Sequence, residues 1–309
     1  MRKLSFSYNL KTELGQYTAK KMCCLKAECY GAWLFSKSFS LKKNDYVSEN
    51  GAAVRKMAEL AAIVCDVTAE VQFAMSRRKK TAYRLSLPDM YQRKILLETF
   101  GHTGSETNLR INKANLQGEC CTAAFLRGAF LSCGTMTDPT KEYHLEFSSQ
   151  FQKLSEDLAE MISETELMQV QPLMANRKGS FLIYLKDSGQ IEEILTYMGA
   201  SNSAMELMQI CMYKDMRNDI NRKMNFETAN MDRTYSASAK QIAAIAKIQD
   251  AGKMDKLTQE QREVAELRLF NQEMTLRELA EALRLSRSSV NYRMKQILAF
   301  AEKLPAVLD

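Results

Sequence analysis

The feature that most constrains this chain is an internal duplication at long offset. Residues 23–34 read CCLKAECYGAWL and residues 120–131 read CCTAAFLRGAFL. Aligned at an offset of 97 residues, they share Cys, Cys, Ala, Gly, Ala and Leu, and Trp33 falls opposite Phe130. Tyr46 meets Tyr143 at the same offset. Solenoid and propeller repeats run to roughly 20–50 residues, so this period predicts two similar lobes instead of a short repeat.

Each copy reads as a helix with small residues on one face. Ala27 and Gly31 are four positions apart, as are Ala124 and Gly128, and that spacing places them on the same side of a helix. A glycine inside a helix costs about 1 kcal/mol relative to alanine. Two matched glycines therefore predict an offsetting gain, namely close backbone approach of the two helices. After each helix the pattern recurs. Paired strands are expected at 39–49 and 135–148, with turns at Lys43-Asn44-Asp45 and Asp138-Pro139-Thr140. Helices are expected at 51–65 and 150–163, strands at 68–76, 81–87, 166–174 and 180–186, and closing helices at 88–100 and 188–199. The stretches Ser76-Arg77-Arg78-Lys79-Lys80 and Asn176-Arg177-Lys178-Gly179 read as the turns between the later strands. Each lobe is thus an αββαββα unit.

Residues 205–250 read as a helical connector. Its cations Arg217, Arg222, Lys223 and Arg233 form either a phosphate-contacting arm or a solvated helix face, the usual state of a charge run. Residues 255–304 are the most legible part. Thr258 caps a first helix running to Phe270. Thr275 caps a second, with Glu278 three residues on, the spacing of a capping box. Leu276, Leu279, Ala280 and Leu283 share one face of it. A turn at Arg284-Leu285 leads to Ser286, which caps a third helix with an apolar stripe at Val290, Met294, Ile297, Ala301 and Leu304. The opposite face carries Arg287, Ser288, Asn291, Tyr292 and Lys295, with Arg293 flanking it. A helix-turn-helix presents its base-reading residues in this way. Arg287 suits a guanine edge and Asn291 an adenine edge. Ser286, Ser288, Ser289, Tyr292 and Lys295 can hold phosphates and set register, and Thr275, Arg277 and Arg293 complete the candidate DNA-binding set.

Composition narrows the alternatives. A net charge of +6 is compatible with nucleic acid without requiring it. The N-terminus lacks a continuous apolar segment, and no run of eighteen apolar residues occurs, so neither a signal peptide nor a membrane span is expected. The eight cysteines then read as reduced cytosolic thiols. They include the adjacent pairs Cys23-Cys24 and Cys120-Cys121, which would need to converge in space to hold a metal. Two histidines in the chain argue against a His-based zinc site; free cysteines usually serve as small buried residues, so no metal site and no cofactor are assigned.

The duplicated region is similar to the LAGLIDADG homing-endonuclease scaffold, in which two αββαββα lobes meet through their motif helices and the sheets form a saddle over DNA. Leu126 to Gly134, LRGAFLSCG, aligns with that motif through Gly128 and Gly134. The resemblance places the metal-binding acid just before the final glycine. That position is Cys133 here, and Ser36 in the first copy, where Lys37 replaces the glycine. Closer still, GECCTAAFLRGAFLSCGTMTDPTKEYHLEF (118–147), the CC segment at 23–24, the stretch from Lys178 to Lys186, NRKMNFETAN (221–230) and SRSSVNYRMKQI resemble the WhiA family of sporulation transcription regulators. Met224 and Phe226 stand where that pattern leads one to expect Val and Cys. The C-terminal segment also resembles sigma-factor region 4.

The expected fold is therefore α+β: a two-lobed LAGLIDADG-like αββαββα duplication (1–200), a helical linker (201–254) and an all-α helix-turn-helix domain (255–309). The resemblance implies a sequence-specific, cytoplasmic and nucleoid-associated DNA-binding regulator, linked to sporulation, cell division or chromosome segregation and without nuclease activity. Its partners would be double-stranded DNA and, beside it, another regulator or RNA polymerase. The alternatives are an architectural nucleoid protein with weak sequence preference and an active homing endonuclease or maturase.

Overall fold

The computed structural model describes residues 4–75 and 81–304. The basic turn expected at Ser76–Lys80 lies outside the described residues. Two compact units divide the chain between Lys214 and Asp215.

The first unit contains both lobes. Lobe one runs α1 (Phe6–Gln16), α2 (Met22–Leu34), β1 (Ser38–Phe39), β2 (Asn44–Ser48), α3 (Gly51–Cys65), β3 (Glu70–Met75), β4 (Thr81–Ser86) and α4 (Met90–Thr99). Lobe two runs α5 (Glu119–Cys133), β5 (Gly134–Met136), β6 (Leu145–Ser149), α6 (Gln152–Glu164), β7 (Leu173–Arg177), β8 (Ser180–Leu185) and α7 (Ser188–Met198). The sheets have the same antiparallel topology, β1-β2-β4-β3 and β5-β6-β8-β7. This is the duplication expected from the 97-residue offset.

The paired helices α2 and α5 form the centre of this unit. A β-carbon placed on Gly31 would lie 2.2 Å from the Phe125 carbonyl oxygen, and one on Gly128 would lie 2.0 Å from that of Glu28. The two contacts exchange under the offset, since Gly31 maps to Gly128 and Glu28 to Phe125. Glycine is needed at both positions because the facing backbone occupies the space of a side chain. Trp33, Tyr30, Phe125 and Phe130, all fully buried, fill the surrounding core.

Two elements depart from the sequence expectation. Helix α1 precedes the duplicated pattern and is not predicted by it. Ser5 caps this helix, Phe6, Leu10 and Leu14 bury its inner face, and the β-carbon position of Gly15 lies 2.9 Å from the backbone of Ala52 in α3. Its counterpart position in lobe two, 103–113, is mostly loop, so the duplication carries no trace of it. The strand expected at 166–174 is largely absent, and β7 starts only at Leu173. The alternation of exposed Leu167 and buried Met168, then exposed Gln169 and buried Val170, imitates a strand. However, the Gln169 and Gln171 amides donate to the Glu193 and Gln190 side chains of α7, at 2.8 and 2.9 Å, instead of to a neighbouring strand.

Helix α8 (Ser201–Asp250) begins in the first unit and continues into the second. The second unit adds α9 (Gln259–Phe270), α10 (Leu276–Ala282) and α11 (Arg287–Glu302). Its core joins Ile245 and Ile248 of α8 to Val264, Ala265, Leu279 and Ala280, with Val290, Met294, Ile297 and Ala301 of α11 and Leu304 just beyond it. All five residues of the expected α11 stripe are buried.

Candidate nucleic-acid interface

Local capping sets the geometry of the second unit. Thr258 and Thr275 each form a full capping box, with Gln261 and Glu278 as the reciprocating residues. The Glu278 carboxylate accepts from the Thr275 amide at 2.6 Å, and that bond lowers its pKa. Ser286 caps α11 by accepting from the Ser289 amide at 3.1 Å. Between α10 and α11, Arg284 takes a left-handed φ of 53°, which lets the Leu285 amide reach back to the Ala280 carbonyl at 2.8 Å. That turn fixes the angle between α10 and α11, and a helix-turn-helix depends on this angle.

With its stripe buried, α11 leaves one face open. Arg287, Ser288, Asn291, Tyr292 and Lys295 are exposed there, and Ser289 is half-buried. Thr275 and Ser286 use their hydroxyls as caps. Arg277 is exposed and pairs with Glu281 at 3.2 Å. Arg293 differs from the rest: its guanidinium lies 2.7 Å from Glu260 of α9 with 15% of the side chain exposed. Sequence spacing alone does not distinguish a flanking residue from one folded back onto α9.

The structure also brings together residues that lie far apart in the sequence. A cleft of about 450 Å³ is lined by Arg277 and Arg287 together with Arg233 of α8, Arg268 of α9 and Thr275. Arg268 is buried and donates to the Met274 carbonyl. Arg233, part of the charge run in the sequence, is exposed at the rim of this cleft, whereas Arg217, Arg222 and Lys223 lie on exposed parts of α8. The sequence signal for Arg233 is its spacing from Ala237 and Gln241 on one helix face.

The second locus lies at the C-terminal ends of α2 and α5. A pocket of about 270 Å³ is lined by Ser36, Lys37, Ser132, Cys133, Ser148, Ser149 and Gln150, with apolar neighbours and no Asp or Glu. Ser36 donates to the Ser38 carbonyl at 3.1 Å. Burial pushes the Cys133 thiol up to about 12, and desolvation lowers Lys11, which donates to the Leu131 carbonyl, to about 8. Hard divalent cations such as Mg²⁺ take oxygen ligands and usually carboxylates. A high-pKa thiol, hydroxyls and a neighbouring ammonium do not suit such an ion.

A duplicated LAGLIDADG-like unit whose acid positions have been replaced, followed by a helix-turn-helix unit, defines the class. The chain belongs to the WhiA family. Residues 122–217 match the family model for the WhiA LAGLIDADG-like domain, and residues 220–301 match the one for the WhiA C-terminal HTH domain. The "Probable cell division protein WhiA" of Alkaliphilus metalliredigens is 33% identical over 314 residues, covering 97% of this chain and 98% of its own. The protein of the same description from Bacillus subtilis is 31% identical over 316 residues, covering 97% of each. The crystal structure of full-length DUF199/WhiA from Thermatoga maritima shares the fold, with a TM-score of 0.59 and 23% identity over 98% of this chain and all of that one. No helix among the described residues is long and apolar enough to cross a membrane.

Proposed function

We propose that this chain is a sequence-specific DNA-binding transcriptional regulator acting at the nucleoid in the cytoplasm, within the cell-division, sporulation or chromosome-segregation programme, and that it has no nuclease activity. The observation that carries this reading is the single open face of α11, where Arg287, Ser288, Asn291, Tyr292 and Lys295 are exposed while Val290, Met294 and Ile297 are buried. A helix so oriented enters the major groove with its N-terminal half against the bases. Arg287 then reads a guanine through O6 and N7, and Asn291 an adenine through N6 and N7. Ser288, Tyr292 and Lys295 hold phosphates, and Arg277 and Arg233 extend the same positive surface. The domain assignment that accompanies this proposal is 1–200 for the LAGLIDADG-like platform, 201–254 for the linker and 255–309 for the reader.

Selection from a random DNA pool with the full chain should enrich one motif. At that motif, Asn291→Ala is expected to lose about 1–3 kcal/mol of affinity and relax preference at one base position. Lys295→Ala should weaken cognate and random DNA alike and lower the slope of log affinity against log salt by about one. Failure to enrich any motif, with uniform loss in both variants, would favour an architectural nucleoid protein instead.

Absence of cleavage follows from the donor set at Ser36 and Cys133. Plasmid and genomic DNA incubated with the protein and Mg²⁺ or Mn²⁺ should show no metal-dependent nicks. Specific nicking that disappears in variants lining the Ser36–Cys133 pocket would instead support the endonuclease reading.

A further inference from the structure

The two cysteine pairs lie 97 residues apart in the sequence, and in the folded chain they meet. Cys23 and Cys24 occupy the first turn of α2, and Cys120 and Cys121 the first turn of α5, so the pairing of these helices brings all four thiols to one end. Their Sγ atoms all lie within 4.8 Å of one another. Cys23 and Cys24 Sγ are 4.0 Å apart, and Cys24 Sγ donates to the Cys120 carbonyl at 3.5 Å. This cluster lies at the opposite end of the paired helices from the Ser36–Cys133 pocket, so neither the degenerate endonuclease centre nor the DNA-reading face accounts for it.

We propose that Cys23, Cys24, Cys120 and Cys121 form a four-thiolate site for one Zn²⁺ ion, which staples the N-terminal ends of the two central helices together. Two physical arguments support this. First, a tetrahedral site with Zn–S bonds of about 2.3 Å has sulfur–sulfur edges of about 3.8 Å, so the thiols need to draw in by about 1 Å at most. The adjacent pair Cys23-Cys24 already stands close to that edge, which removes the usual objection to neighbouring ligands. Second, four thiolates around a divalent ion carry a net charge of −2, and here that charge faces two helix N-termini, each equivalent to roughly +0.5 charge. On binding, the ion takes all four as thiolates. Each thiol releases its proton to solvent, the sulfurs donate electron pairs to zinc, and no electron is transferred. Soft thiolates in tetrahedral array favour zinc over oxygen-seeking ions, and sulfurs this close suit one ion better than a multi-iron cluster with sulfide between its irons.

The test uses the full chain, purified with reductant and without chelator. Elemental analysis should return one zinc per chain. Cobalt exchange should give the thiolate-to-cobalt charge-transfer band and the visible bands of a tetrahedral site. Cys120→Ser and Cys23→Ser, neither of which replaces a fully buried side chain, should lose both signals, while Cys211→Ser should keep them. Since these variants could unfold for other reasons, the melting temperature of wild-type protein provides a second readout and should rise with free zinc and fall on chelation. Three results would overturn the proposal: zinc retained equally by Cys120→Ser, no zinc or cobalt uptake by folded wild type, or a mass deficit showing that the four cysteines have formed a disulfide. Iron with visible absorption in place of zinc would overturn the choice of metal.

Discussion

Gly128→Ala is expected to destabilise the first unit more than a surface change could, although it adds one methyl group. The added carbon would sit 2.0 Å from the Glu28 carbonyl oxygen and 2.9 Å from the Ala32 amide nitrogen, both backbone atoms of the facing helix. A flexible side chain could move aside, but a helical backbone cannot yield without separating α2 from α5. The cost should reach the upper end of the usual 1–3 kcal/mol for overpacking, about 3 kcal/mol. At about 2–4 °C per kcal/mol for a unit of this size, thermal melts should drop by about 6–12 °C. Gly31→Ala, with its carbon 2.2 Å from the Phe125 carbonyl oxygen, should behave alike. An unchanged melting temperature in both variants would mean that the two helices are not packed at these glycines.

The second large effect concerns the ion pair inside the same interface. Arg127 Nη2 lies 3.0 Å from Glu28 Oε2, with side-chain exposures of 4% and 0%. Arg127 also donates to the Met198 carbonyl at 2.8 Å, and its guanidinium lies 4.0 Å from the centre of the Tyr17 ring. Lys56 approaches Glu28 only to 4.0 Å. Arg127→Met therefore leaves the Glu28 carboxylate buried with one distant cation, and removing one partner of such a pair costs about 3–5 kcal/mol. Glu28→Leu should cost a similar amount by stranding Arg127. The double variant should recover at least about 1 kcal/mol relative to the sum of the singles, because neither charge is then left alone. Urea melts of the four proteins measure this directly, and strict additivity would show that the two side chains do not interact.

Much of this architecture is readable in the sequence because local chemistry and long-range pattern point the same way. In the second unit, capping residues at Thr258, Thr275 and Ser286 and a buried stripe from Val290 to Leu304 specify start points and faces without tertiary information. In the first unit, the matched glycines reveal both the duplication and the pairing of α2 with α5. What stays hidden depends on contacts distant in sequence. The stretch Thr165–Pro172 alternates like a strand, but its Gln169 and Gln171 amides bond to side chains of α7. Arg293 sits beside the open face of α11 in sequence, yet Glu260 draws it onto α9. The cysteine cluster is the instructive case. The helix pairing and the position of each cysteine pair in a first turn are both legible, and together they place the thiols at one end of the interface. Two dipeptides become one cluster only when pairing the helices is also understood as pairing their ends.

The contacts across α2 and α5 also decide which lobe can pair with which. Under the 97-residue offset, the counterpart of the Glu28–Arg127 pair is Tyr30 with Phe125, whose ring centroids lie 5.4 Å apart. Two first lobes brought together would set Glu28 against Tyr30 twice, and two second lobes would set Phe125 against Arg127 twice. Each such assembly buries these charges facing rings, without the Glu28–Arg127 pairing. Only one lobe of each kind matches charge with charge and ring with ring, so wrong partners are disfavoured by the burial of charge without its opposite partner as well as by the lost pairing. When many copies emerge from ribosomes at once, a first lobe can be completed by a second lobe but not by a neighbour's first. The fused duplication thus behaves as an obligate heterodimer whose two subunits happen to share a chain.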